Sequence, residues 1–330
     1  MRRPVRLITA VEIKEHYTME QAINAMKRAF SALSSGESYV PHRYISKLPS
    51  ENMYLFFKPA FVEQEERIAV KFLTQRQTGL MPGIPVIQGI VILIDSVTGE
   101  IVSIMDGEYL TALRTGAASG LATRYFSRED ARVMALFGCG AQGRTQLEAI
   151  ICERRIEKVF VFDSKREAAE AFIAELKDKF PLELVYVSDT SVLQEVDVIC
   201  TATNSREPLF RIGEVKKGVH INAVGSFQPE MQELDPFLIR DARIYVDQAE
   251  SCLKESGDLI KPMADGIITS HHIAGEIGDY CLNKIAGRES DDQITVFKSV
   301  GNAIQDFMVA VDVYNHSVNE SFGVDFNLFG

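Results

Sequence analysis

The residues best suited to chemistry lie in one short run, Gly138-Cys139-Gly140-Ala141-Gln142-Gly143, and in the acid that follows it, Asp163. The run is a G-x-G-x-x-G. In that pattern the first glycine (Gly138) permits a tight turn and the second (Gly140) lets the backbone approach a pyrophosphate. The third (Gly143) lets a helix pack closely on its strand. A helix starting at Ala141 and Gln142 offers unpaired N–H groups and a positive dipole end to phosphates. An acid about 20 residues further on accepts hydrogen bonds from an adenosine ribose. Ser164, Lys165 and Arg166 come directly after Asp163. The carboxylate repels a ribose 2′-phosphate, whereas the two cations accept one. The expected cofactor is NAD(H), with NADP(H) tolerated.

A glycine pattern carries weight only in the right context, and the surrounding elements supply it. Residues 133–137 form an apolar run suited to a buried parallel strand. A helical stretch follows with Leu147, Ile150 and Ile151 on one face, and residues 158–162 read as a second strand ending on Asp163. Further strands are expected at 184–187, 198–201, 219–224, 243–246 and 294–300, with helices at 166–180 and 191–196. This is a Rossmann-type, doubly wound α/β sheet. Ligands sit at the carboxyl ends of such strands, so Ala141, Asp163, Thr201, Thr203 and Val224 share one rim. The earlier residues read differently. A strand at 5–10 and a helix at 19–33 precede strands at 43–47, 53–57, 68–73, 89–95 and 101–105, with a loop at 75–85 and a hairpin turn at 95–100. This is an antiparallel, curved-sheet pattern. A helix at 110–125 is rich in small residues, and a polar run from Ser127 marks a boundary. A closing helix at 301–318 returns to the first domain. The expected division is 1–127 with 302–330 as a discontinuous α+β domain, and 128–301 as the dinucleotide-binding domain.

The 330 residues carry a formal net charge of −11, which argues against nucleic acid as a partner. Five cysteines, an odd number with no C-x-x-C, fit a reduced cytoplasmic protein. No signal peptide and no apolar run of ~18 residues is found, so no membrane span is expected. Cys139 reads as a small filler. His271-His272 has no third ligand at zinc spacing, so no metal is expected. Ser119 has no nucleophile-elbow context. Asp291-Asp292 reads as a solvated turn and Asp306 as a structural residue of the last helix.

Several motifs coincide in order along nearly the whole chain: Pro41-x-Arg43, Val70-Lys71, Asp106-Gly107, Leu110-Thr-Ala-Leu-Arg114-Thr-Gly-Ala-Ala-Ser119, the glycine loop, His220-Ile-Asn-Ala-Val-Gly225, and the run 287–301. In these the sequence resembles the ornithine cyclodeaminase/mu-crystallin family. The resemblance implies a nicotinamide-dependent oxidoreductase acting on an imino or amino acid, and a homodimer built through the non-Rossmann domain. It also implies that Arg43 and Lys71 hold the substrate, that Arg114 contacts substrate or cofactor, and that Ser299 and Val300 lie near nicotinamide and substrate. The chemistry is coherent. An arginine fork binds a carboxylate bidentately, and a lysine whose pKa is lowered by burial can orient or protonate an imine.

One departure separates the branches. The essential aspartate of ornithine cyclodeaminase is replaced by Phe227, and that family's later lysine falls at Met231. Ring closure needs a base on the side-chain amine, which phenylalanine cannot supply; Glu230 is the nearby candidate substitute. The run from Val224 to Glu233 resembles the Δ1-pyrroline-2-carboxylate (ketimine) reductase branch. The expected reaction is therefore NAD(P)H-dependent reduction of a cyclic α-imino acid to the L-amino acid. The alternatives are ornithine cyclodeamination, an alanine dehydrogenase-like reaction, and a non-catalytic ligand-binding role.

Overall fold

The computed structural model describes residues 3–48, 53–76 and 84–328. It contains two compact units, Met1–Arg114 with Asn302–Gly330, and Thr115–Gly301. The division falls inside a helix, earlier than the polar run at 127–130 suggests.

The first unit opens with β1 (Val5–Ile8), α1 (Ala10–His16) and α2 (Met19–Ser35). The strand stops short of Ala10 because Thr9 begins a helix: Thr9 and Glu12 form a reciprocal capping box, as do Thr18 and Gln21 ahead of α2. Helix α2 buries Ala22, Ile23, Met26, Ala29 and Phe30 and ends at Gly36, whose φ of 81° suits glycine. Then come β2 (Ser38–Tyr39), β3 (Tyr44–Leu48), β4 (Met53–Val62), β5 (Arg67–Arg76), β6 (Ile87–Asp95) and β7 (Ile101–Asp106). Strand β4 runs past its expected end through Pro59. That residue falls between the part of β4 paired with β3 and the part paired with β2, where a missing donor is tolerated. The expected loop at 75–85 loses Gln75 and Arg76 to β5, and residues 77–83 lie outside the described ones. The Asp95 carboxylate closes the hairpin turn by accepting from the Val97 and Thr98 N–H groups. Helix α3 (Gly107–Phe126) follows directly.

The second unit alternates strand and helix: β8 (Val133–Phe137), α4 (Ala141–Glu153), β9 (Lys158–Phe162), α5 (Arg166–Leu176), β10 (Glu183–Tyr186), β11 (Val198–Thr201) and β12 (His220–Ala223). It continues with α6 (Pro236–Asp241), β13 (Arg243–Val246), α7 (Ala249–Glu255), α8 (Gly257–Ala264), β14 (Ile273–Glu276), α9 (Ile277–Cys281) and β15 (Thr295–Lys298). The sheet order is β10-β9-β8-β11-β12-β15-β13-β14, parallel throughout. Helix α5 stops before Phe180, which precedes Pro181 and is biased away from helix. Residues 190–195 form a 3-10 turn rather than an α-helix. The strands bury apolar side chains on both faces, as a covered parallel sheet requires.

The chain then re-enters the first unit. Helix α10 (Ala303–Glu320) packs on α2 and across β4, β5 and β6, and β16 (Val324–Phe326) pairs antiparallel with β1. Among the described residues, no helix is long and apolar enough to cross a membrane.

Candidate active site

In the first unit a single carboxylate gathers the expected substrate residues. Lys71 on β5 and Lys58 on β4 are direct cross-strand partners, so both side chains leave the same face of the sheet. Both are buried. Lys71 Nζ donates to Asp306 Oδ1 at 2.6 Å and to Thr111 Oγ1 at 3.1 Å. Arg114 Nε donates to the same Asp306 oxygen at 2.9 Å, and its Nη1 to Gln305 Oε1 at 2.8 Å. Arg43 lies close enough to repel Lys58 and Lys71, with its guanidinium 5.8 Å from the Phe56 ring centroid.

The electrostatics follow from burial and crowding. Burial pulls the Lys71 ammonium down; Asp306 opposes the fall and Arg114 adds to it, leaving the pKa at about 8. Burial pushes Lys58 well below the usual lysine range, and Arg43 and Lys71 push it further. Burial alone would raise Asp306, but Lys71, Arg114 and Lys58 outweigh it and hold the carboxyl at about 2. The cluster thus gathers two arginines and two lysines around one ionised acid, an environment that favours an anionic ligand.

In the second unit the glycine loop leaves β8 and enters α4. Gly138 has φ 101°, and a Cβ there would lie 2.5 Å from the Ala202 carbonyl oxygen. A Cβ on Gly143 would lie 2.2 Å from the Gly138 carbonyl oxygen. At Gly140 φ is −78° and a Cβ would meet nothing within 4 Å. Open space in front of Gly140, at the start of a helix with no side-chain cap, fits a pyrophosphate approached by backbone N–H groups. Asp163 Oδ2 accepts from the Cys139 N–H and Oδ1 from the Lys165 N–H, both at 2.9 Å, so the acid is locked against the loop. Cys139 is buried, and burial with the nearby Asp163 pushes its thiol up to about 12, consistent with a filler. Ser164 and Arg166 are exposed, and Arg166 is engaged by Glu170 at 2.7 Å.

The neighbouring strand ends are held by buried acids. Glu233 accepts from Thr201 Oγ1, from the Thr203 N–H and Oγ1, and from the N–H groups of Gly225 and Ser226. Asp258 Oδ1 accepts from the Glu233 and Leu234 N–H groups, and its Oδ2 from Lys298 Nζ. Asp247 Oδ2 accepts from Ser299 Oγ and from the Val300 and Gly301 N–H groups. The rim residues Thr201, Thr203, Ser299 and Val300 are therefore fixed by this polar scaffold. Val224 is buried between Thr201 and Gly225, its N–H bonded to the Thr201 carbonyl. Phe227 is half-buried against the apolar core of this unit.

The sequence matches the ornithine cyclodeaminase/mu-crystallin family over residues 5–321. The chain belongs to that family. It is 36% identical over 319 residues to a Δ1-pyrroline-2-carboxylate reductase of Bacillus cereus, covering 96% of this chain and 98% of that one. It is 32% identical over 323 residues to an alanine dehydrogenase of Archaeoglobus fulgidus, covering 98% of each. The structure of the Thermococcus litoralis Δ1-pyrroline-2-carboxylate reductase in complex with NADH and L-proline superposes with a TM-score of 0.93 at 34% identity, covering 97% of this chain and all of that one.

Within this family member, sequence reading singled out Arg43, Lys71 and Arg114 but passed over Lys58, Gln305 and the centring role of Asp306. A signal was present: Asp306 lies among Ile304, Phe307 and Met308 in an apolar helix, where an acid is buried only if paired. Glu233, Asp247 and Asp258 were also missed, because their partners lie on other strands and helices of the fold.

Proposed function

We propose that this protein reduces a cyclic α-imino acid of the Δ1-pyrroline-2-carboxylate type to the L-amino acid, L-proline in that case, at the expense of NAD(P)H. The observation that carries this reading is the buried Asp306-centred cation cluster, on a chain that shares its fold with a reductase bound to NADH and L-proline. Arg43 and Arg114 take the carboxylate of the substrate, and Lys71, at a pKa of about 8, orients the imine and supplies a proton to its nitrogen. The cofactor is held by Gly138, Gly140, Ala141, Gln142 and Gly143 at its pyrophosphate and by Asp163 at its ribose, with Thr201, Thr203, Val224 and Ser299 along the strand ends. It supplies the hydride when bound.

NAD(H) is the preferred form, because Asp163 is fixed at the end of β9 while Arg166 is turned to Glu170. The apolar, half-buried Phe227 supports a reductase that takes a ready-made ring. Glu230 is exposed, and its carbonyl accepts from Lys261; it is not the base for ring closure. Five free cysteines fit a reducing compartment such as the cytoplasm.

A homodimer is part of the same reading. Tyr44, Phe57, Phe72 and Ile90 form a cross-strand row over β3, β4, β5 and β6, each at least 39% exposed, as expected of a covered face. A structural neighbour at 31% identity is an archaeal alanine dehydrogenase dimer. The primary test is a screen of cyclic imines with NADH and NADPH, followed at the nicotinamide absorbance. Oxidation of the cofactor with a cyclic imino acid is the expected result; none with any cyclic imine overturns the proposal.

A further inference from the structure

The start of α10 holds three buried polar atoms that have no hydrogen-bond partner among the described residues: Asp306 Oδ2 and both amide atoms of Asn302. Asn302 is the residue that precedes the helix, yet its side chain makes no capping bond. Asn302 is the N-cap, with extended backbone, and Asp306 lies in the first turn of the helix. Asp306 is 2% exposed and Asn302 7%. Buried polar atoms in folded proteins are nearly always paired, and a lone buried carboxylate oxygen calls for a donor. The donors closest in chemistry, Lys71 and Arg114, both go to the other oxygen, Oδ1.

We propose that Asp306 is a catalytic residue whose Oδ2 accepts the ring N–H of the protonated cyclic imine. This rests on the reading of the chain as an imine reductase. The substrate in its reactive form carries an anionic carboxylate and a cationic C=N–H, and the first unit offers a match for each. Arg43 and Arg114 face the anion, and the ionised, buried Asp306 faces the cation. An anion against the ring nitrogen favours the protonated imine, which is the form that accepts hydride. The imine nitrogen takes a proton from the Lys71 ammonium, forming the N–H bond that Oδ2 accepts. The carbon of C=N then accepts hydride from the reduced cofactor, and the π pair moves onto nitrogen. Protons from solvent restore the Lys71 ammonium and convert the ring amine to the ammonium of the product. Asn302, with a free donor and a free acceptor at the same helix end, completes the polar lining.

The test compares two ligands that differ at one ring atom. L-Proline carries the ring N–H; tetrahydrofuran-2-carboxylate has oxygen there and keeps the carboxylate. Both are measured by titration calorimetry against the protein saturated with NADH, a readout that needs no turnover. The native protein is expected to bind proline about tenfold or more tightly than the oxygen ring, the scale of a charge-assisted contact. In Asp306→Asn the two should come within about twofold of each other. Loss of packing alone would weaken both ligands and keep their ratio. Equal binding of the two rings by the native protein overturns the assignment without any variant, as does an Asp306→Asn protein that keeps the native ratio. Absence of turnover with every cyclic imine overturns instead the reading on which the assignment rests.

Discussion

The three glycines of the loop carry separable burdens, and alanine at each should give a different result. At Gly140 the backbone φ is −78° and the space around a Cβ is empty to 4 Å. Alanine therefore fits the unliganded protein, and a Gly→Ala change at a compatible site stabilises by ~0.4–1 kcal/mol through the unfolded chain. The added methyl occupies the space through which a pyrophosphate reaches the loop, so NADH affinity should fall by about tenfold to a hundredfold, the reach of a ~1–3 kcal/mol steric penalty. At Gly143 the methyl would lie 2.2 Å from a carbonyl oxygen, and at Gly138 it would meet another at 2.5 Å from an unfavourable φ of 101°. Both variants should lose about 1–3 kcal/mol of stability or more before any cofactor is added. Thermal denaturation without cofactor, together with NADH titration followed by nicotinamide fluorescence, separates the two effects. Gly140→Ala unfolding as early as Gly138→Ala while binding NADH normally would refute the reasoning.

Lys71 predicts a pH limb. Its pKa of about 8 means the ammonium is present below that pH and lost above it, so kcat/KM for imine reduction should fall as pH rises through about 8. Lys71→Arg stays charged across the range and should abolish the limb along with most of the rate; a native profile flat from about pH 7 to about pH 10 would contradict the assignment. Asp163→Ser should move the NADPH-to-NADH preference by about tenfold to a hundredfold, for one unit charge at contact distance, and should loosen the loop by freeing the Cys139 N–H. An unchanged cofactor ratio would show that Asp163 does not face the ribose. Phe227→Asp should weaken cyclic imine reduction and destabilise the second unit by about 1–3 kcal/mol, because an unpaired carboxylate replaces a ring packed on the core. The native protein should convert no ornithine to proline, as followed by ammonia release, and robust conversion would reverse the choice between branches.

How much of this was legible depended on the reach of the interactions. The bounds of β8, β9, β11 and β13 could be read to the residue, because short apolar runs end at glycine, acid or polar residues that are neighbours in sequence. The motif residues around Lys71 and Arg114 were equally visible. Helix α1 was not, since seven residues give too little periodicity, although its Thr9–Glu12 capping box was there to be seen. The small helices between Pro236 and Cys281 lack a clear repeat for the same reason. Lys58 was passed over because its importance comes from pairing with Lys71 across two strands. Glu233, Asp247 and Asp258 are ordinary acids in the sequence and become anchors only when distant backbone N–H groups converge on them.

Strand β15 lies between β12 and β13 in the parallel sheet, although it is made well after both. The same late stretch of chain delivers Asp306, the acid that balances Lys71 and Arg114 in the other unit. Domains generally fold as they leave the ribosome, amino-terminal parts first. Here neither unit can close that way. A nascent chain ending before Thr295 has a gap in one sheet and, in the other, uncompensated cations that burial would penalise. Translation must pass β15 before the second sheet is complete and α10 before the first core settles, which makes assembly of both units a late event in synthesis. A prematurely terminated product should expose apolar strand edges and be a substrate for proteases, not a partly active fragment.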